Sequence, residues 1–314
     1  MSDQELSEPE AAGPTLAGHA DERCFQELRP LLFSVAYRML GQASDAEDMV
    51  QESWLRYARD HAAVRDTRAW LVQVVTRLCL DELRSARHRR ETYVGPWLPE
   101  PVLTGNAATG DPLATVERHE LLSLGALALL ERLPASERAV LVLREALAYS
   151  HAEIARAVGI TEVASRQLLR RARSHLADSP ALAPASTPSK QTHQRLVTAL
   201  RRAFETGDVD ELVALMREDV VMVSDGGGEV KAALNVITGR NKFLRLLLAQ
   251  RRQMPSEQWS FIDAEVNGLP AAVFRSVDGT TYILAMTADA DGLLASALAV
   301  MAPSKLAFVN RQLR

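Results

Sequence analysis

Apolar residues recur at three- and four-residue spacing along the first half of the chain. Trp70, Val74 and Leu78 form one such stripe, and Leu169, Ala172 and Leu176 form another; this is the period of amphipathic helices. Two Ser-x-x-Glu sequences, Ser44-Asp45-Ala46-Glu47 and Ser150-His151-Ala152-Glu153, stand where helices would begin. Serine hydroxyl and glutamate carboxylate can each satisfy an orphan amide of a first turn, so both read as capping boxes. Beyond residue 190 the pattern changes. Helical stretches near 190–205 and 208–217 precede short segments rich in β-branched and aromatic residues at 220–224, 258–266, 271–277 and 281–286. Asp278-Gly279 is a hairpin-like turn signal, and one further helix is expected near 241–252. This is an α+β pattern, with helices before and beside an antiparallel sheet.

Two composition shifts interrupt these patterns. Residues 93–116 carry Pro96, Pro99, Pro101, Gly105, Gly110 and Pro112, which defeat a regular helix. Residues 178–190 are rich in Pro, Ala and Ser without periodicity and read as a linker. Three folded blocks follow: 22–92 and 117–177, both all-α, and 191–314, α+β. A chain of 314 residues accommodates that number of domains.

Composition narrows the function. With 47% apolar and 24% charged residues the chain is not wholly disordered. Its net charge of −4 means that any nucleic-acid contact must come from local basic faces. Two cysteines, Cys24 and Cys79, are too few for a disulfide scaffold or a four-thiolate zinc site. Met1–Ala20 is acidic and polar, without the basic start and apolar stretch of a secretory signal. The longest apolar runs, such as Gly292–Ala302, fall short of the roughly 18 residues a membrane helix needs. A cytoplasmic protein without a membrane partner is the expectation.

Three clusters of charge carry candidate chemistry. Arg77, Arg84, Arg87, Arg89 and Arg90 gather toward one end of a helix over 68–90. They suit phosphate contact, or equally a solvated helix end favoured by the dipole. Residues 149–173 are more specific: a helix over 149–158, a turn at Gly159, a cap at Thr161 and a second helix carrying Arg166, Gln167, Arg170, Arg171 and Arg173. Helix, glycine turn and basic second helix make a helix-turn-helix, whose second helix enters the major groove, where Arg and Gln pair with base edges. The alternative is an ordinary helical hairpin. Asp45, Asp48 and Glu52 share a helix face at i, i+3, i+7; a solvated acidic face and a docking surface for a basic partner both fit.

Taken together these segments resemble the extracytoplasmic-function sigma factors of bacterial RNA polymerase. Asp45-Ala46-Glu47-Asp48-Met49-Val50-Gln51-Glu52 resembles the family's core-polymerase-binding helix. Arg68-Ala69-Trp70-Leu71 through Thr76-Arg77-Leu78-Cys79-Leu80-Asp81-Glu82-Leu83-Arg84 resembles the helix that melts and holds the −10 element. Leu133-Pro134-Ala135-Ser136-Glu137-Arg138, leading to Tyr149-Ser150-His151-Ala152-Glu153-Ile154-Ala155, looks like region 4, which reads the −35 element. Trp97-Leu98-Pro99-Glu100-Pro101 and Asp225-Gly226-Gly227-Gly228 resemble markers of a subgroup with a fused C-terminal SnoaL-like domain, the SigJ type. The sequence departs from the subgroup at Glu229, where Lys is usual, and at Ala302-Pro303-Ser304-Lys305-Leu306, where Asn-Pro-Asp-Lys-Leu is usual. Arg77 stands where many relatives carry Asn.

The resemblance implies two all-α sigma domains followed by a SnoaL-like α+β cone, with core polymerase and promoter DNA as partners. It assigns Asp45, Asp48, Gln51 and Glu52 to polymerase. It places Trp70, Gln73, Arg77, Arg84 and Arg87 at the −10 element, although Trp70 also fits the helix's core stripe. Arg166, Gln167, Arg170 and Arg171 fall to the −35 element, and the 93–116 linker threads toward the polymerase cleft. Trp97 to Pro101 and Asp225 to Gly228 become candidates for a regulatory contact, the glycines otherwise being a tight turn. In the last block no histidine follows His193, which argues against a His-based general acid or a soft metal site there. No cofactor is expected, while a small-molecule ligand in the C-terminal domain stays open. Two rival readings remain: a polymerase-independent helix-turn-helix regulator with a ligand-sensing domain, and a SnoaL-like isomerase or cyclase.

Overall fold

The computed structural model describes residues 16–60, 64–90, 93–104, 123–177, 189–253, 259–277 and 279–314, without the side chains of 16–21, 60, 86–90 and 190. Helices α1 (Leu16–Leu40), α2 (Ala43–Asp60) and α3 (Thr67–Arg90) form the first unit. Helices α4 (Leu124–Leu130), α5 (Ala135–Leu147), α6 (His151–Val158) and α7 (Glu162–Ala177) form the second. The two units share one apolar core. Leu32, Phe33, Val72 and Val75 of the first join Val140, Leu143, Ile154 and Leu169 of the second. Buried Arg138 on α5 bonds the carbonyl of Met39 at 2.6 Å and the Glu131 carboxylate at 2.8 Å; burial lowers its pKa to about 10.

The α3 stripe lies one position from the expected one. Leu71, Val75, Cys79 and Leu83 are buried, while Trp70, Val74 and Leu78 are half-buried. Apolar residues at 70–72, 74–75 and 78–80 give α3 an arc wide enough to pack against the first unit on one side and α5 and α6 on the other. The Ser150–Glu153 capping box is present. Gly159 ends α6 at φ 80°, the left-handed conformation a helix-ending glycine adopts.

The third unit is a seven-stranded sheet with helices on both faces. Its strands are β1 (Leu103–Thr104), β2 (Met216–Asp225), β3 (Ile237–Thr238), β4 (Trp259–Val266), β5 (Leu269–Ser276), β6 (Gly279–Ala288) and β7 (Leu294–Val300), in the order β1-β4-β5-β6-β7-β2-β3. Among the described strands only β2 and β7 pair in parallel. Helices α8 (Lys190–Thr206), α9 (Asp210–Ala214) and α10 (Arg240–Gln253) accompany one face, where Phe204, Phe243, Phe274, Tyr282 and Met286 fill the core. Phe274 and Tyr282 stack at 4.1 Å. The helix expected over 208–217 is the shorter α9, because Met216 already belongs to β2. Asp278 lies outside the described residues, as does the linker beyond Thr104.

The opposite sheet face carries Val223, Val273, Ile283 and Leu298. It is covered by Leu98 and Leu103 of the linker, Leu124 of α4, and Leu306 and Val309 of α11 (Pro303–Gln312). Helix α11 also reaches the first unit: Phe308 packs beside Phe33 with ring centroids 6.1 Å apart.

Candidate polymerase, promoter and linker surfaces

On α2, Asp48 and Gln51 are exposed and Asp45 and Glu52 half-buried. Asp45 accepts from Gln42 at 2.6 Å, and Glu52 pairs with Arg56 at 2.8 Å. Leu55, 51% exposed one turn beyond Gln51 and Glu52, extends this face. An apolar residue set among charges on an exposed face is its signal in the sequence.

On α3, Trp70 packs against Tyr57 at 5.8 Å, and Gln73 donates to the Arg156 carbonyl of α6 at 3.3 Å. Both side chains have partners within the chain, the Gln73 bond lying at the surface. Arg77 is exposed, and Arg84 is exposed beside Asp81 at 2.8 Å. Arg87 has its side chain outside the described residues.

On α7, Ser165, Leu169 and Ala172 turn inward, and Arg166, Gln167, Arg170 and Arg171 are exposed. His151 of α6 bonds Ser165 of α7 at 2.9 Å, which fixes the angle between the two helices. The second helix thus presents a basic outer face, with Val163 exposed near its N-terminus.

The linker markers meet the glycine loop. Asp225, fully buried at the end of β2, accepts from the Tyr93 hydroxyl (2.5 Å), the Leu98 amide (2.7 Å), the Gly227 amide (3.0 Å) and Lys305 Nζ (2.7 Å). Lys305 also donates to the Leu98 carbonyl at 2.5 Å and lies 4.7 Å and 4.3 Å from the ring centroids of Tyr93 and Trp97. Burial, then the bond to Asp225 and its charge, drive the Tyr93 hydroxyl pKa up. Gly226 has no room for a side chain, since a Cβ there would sit 2.6 Å from the Val230 carbonyl. Gly227 and Gly228 have φ of 61° and 74°.

Downstream, Pro99 and Pro101 are buried, and Glu100 crosses to α2. Its carboxylate accepts from the Ser44 amide at 2.9 Å and the Ser44 hydroxyl at 3.1 Å, and its own amide donates to the Gly41 carbonyl at 2.8 Å. Ser44 is therefore not the cap of its own helix: its hydroxyl serves Glu100, and Glu47 turns to Arg29 at 3.4 Å. Burial raises the Glu100 pKa against the opposing pull of Ser44, Ala43 and Arg311.

Asn267, at the tip of the β4–β5 hairpin with φ 53°, donates to the Tyr37 hydroxyl at 2.8 Å and accepts from the Val102 amide at 3.1 Å. Gln312 of α11 bonds both the amide and the carbonyl of Leu103, at 2.8 and 3.1 Å. Asn267 and Gln312 were not anticipated, although Asn267-Gly268 is itself a two-residue hairpin signal. Glu229 accepts from the Ser304 hydroxyl and from its amide, the latter at 3.2 Å.

Comparison with known proteins follows the same division. Residues 24–89 match sigma-70 region 2, residues 124–176 match sigma-70 region 4, and residues 197–301 match the SnoaL-like domain. The chain is 42% identical over 260 residues to the ECF RNA polymerase sigma factor SigJ of Mycobacterium tuberculosis, covering 81% of this chain and 82% of that one. It is 34% identical over 215 residues to the probable ECF sigma factor SigI of the same species, covering 67% and 69%. The crystal structure of M. tuberculosis SigJ superposes with a TM-score of 0.71 at 36% identity, covering 91% of this chain and 98% of that one.

Proposed function

The chain belongs to the extracytoplasmic-function sigma factors that carry a fused SnoaL-like domain, and from that premise we propose how its surfaces divide the work. The protein binds core RNA polymerase and directs it to promoters, as its family does, by binding rather than by covalent chemistry. Asp45, Asp48, Gln51 and Glu52, with Leu55, form the polymerase face. Arg166, Gln167, Arg170 and Arg171 read the −35 element, phosphate contacts giving affinity and base contacts giving specificity. Trp70, Gln73, Arg77, Arg84 and Arg87 serve the −10 element, arginines tracking the strand and an aromatic stacking on an unpaired base.

One observation carries the reading: the exposed basic face of α7 stands on a buried, bonded helix pair. The Gln73–Arg156 bond adds a condition, since Gln73 must give up this exposed bond before it can meet DNA. The linker and glycine-loop contacts hold the first unit against the SnoaL-like domain. This supports a modulatory role for that domain.

Run-off transcription with core polymerase and full-length protein tests the division. Asp48→Arg should abolish core association. Arg166→Ala should leave core association intact and lower promoter-dependent transcription roughly tenfold or more. Core association unaffected by Asp48→Arg, or transcription unaffected by Arg166→Ala, would overturn the corresponding assignment.

A further inference from the structure

Seven large apolar side chains stand exposed among the described residues, and three of them, Val94 (50%), Val230 (38%) and Leu234 (62%), line a single cavity. Its volume is about 500 Å³, within the range of small-molecule sites. One wall is the linker segment Val94-Gly95-Pro96, and the other is the loop 226–234 that follows β2. The walls touch closely: a Cβ on Gly228 would meet Val94 at 3.2 Å, and one on Gly95 would meet Leu234 at 3.4 Å. Clustered apolar exposure of this kind marks a binding surface more often than scattered single residues do.

Two charged side chains of opposite sign line the cavity. The Glu229 carboxylate is turned to Ser304 on α11. Lys231, also in the lining, makes no ion pair or hydrogen bond among the described residues. Ser224 contributes to the lining as well, and its buried hydroxyl has no hydrogen-bond partner among the described residues.

We infer that this cavity is an effector site for a compact apolar anion, such as an aromatic or short-chain carboxylate. The hydrocarbon body rests between Val94, Val230 and Leu234, and the anionic group faces Lys231. The core between the sheet and helices α8 and α10 is a different place, filled by Phe204, Phe274 and Tyr282. Because the two walls belong to linker and loop, the ligand binds the docked arrangement better than the undocked one. It therefore stabilises docking by mass action, and docking reciprocally raises its affinity. The inference goes beyond the promoter assignments and does not depend on them.

The test uses full-length protein without polymerase. The probe is anilinonaphthalene sulfonate, an apolar anion whose fluorescence reports burial, with uncharged N-phenylnaphthylamine as its control. A saturable site is expected. Leu234→Glu, at an exposed position where folding is little affected, should weaken the sulfonate roughly tenfold. Lys231→Gln should weaken the sulfonate by about threefold or more and leave the uncharged analogue unchanged. Amide exchange at Leu98 and Glu100, whose N–H groups bond Asp225 and Gly41, should slow roughly tenfold at a probe concentration ten times Kd. No saturable binding, equal binding by Leu234→Glu, equal loss of both probes in Lys231→Gln, or unaltered exchange would each overturn the inference.

Discussion

Asp225 concentrates the linker contact in one side chain. With four donors on a fully buried carboxylate, its charge is compensated only while Tyr93, Leu98 and Lys305 are in place. Asp225→Ala leaves Lys305 buried without its anion, so a loss of about 3–5 kcal/mol is expected by urea denaturation. Adding Lys305→Met to that variant should recover part of it. Glu100 gives a pH dependence. Its pKa is raised in the docked state, so docking takes up a proton and gains stability as pH falls toward the ordinary carboxylate value of about 4.3. That gain is lost as pH rises through the raised value. Glu100→Gln should flatten the dependence of Leu98 amide exchange on pH. Residue chemistry of this sort was partly legible in the sequence. The Ser150 cap was, because both its partners are local, whereas the Ser44 box failed because Glu100, 56 positions away, competes for the same groups.

Among the elements, α3 and α7 were the most readable, since each carries an apolar stripe at helical spacing. The offset on α3 arose because adjacent apolar residues let several stripes fit one sequence. Strand β7 and helix α11 went unread. The run Leu294–Val300 pairs with neighbours on both sides and is buried toward both cores, so it lacks the alternation of a one-sided strand. β1 is two residues long and owes its existence to Val266 and Glu265 of β4. Gly41, at the α1–α2 turn with φ 69°, would bring a Cβ within 2.5 Å of the Trp97 ring. Gly41→Ala should cost about 1–2 kcal/mol of stability, seen as a shift in the urea midpoint reported by tryptophan fluorescence. On α7, Arg170→Ala should weaken DNA binding and reduce the slope of log affinity against log salt by roughly one, measured by holoenzyme titrations on one promoter.

For the whole molecule, three units share contacts that none could make alone. The first two sit on one apolar core, so a change in either should be felt in both. Ile154→Val on α6 is expected to cost about 1 kcal/mol, and fluorescence from Trp54 and Trp70 of the first unit should report the same shifted transition. Two separate transitions would show that the units unfold independently. The architecture of helical units followed by an α+β unit was readable from composition shifts. The way the linker binds them was not, because its partners, Asp225, Asn267 and Gln312, lie 127 to 209 positions further along the chain.

That separation also sets an order in time. During synthesis at roughly 5–20 residues per second, Leu98 and Leu103 emerge about six to forty seconds before the groups that will secure them. The newborn helices pass through that interval with no C-terminal unit to clasp the linker. A polymerase meeting a nascent chain encounters it unfastened, and only a finished molecule can be latched.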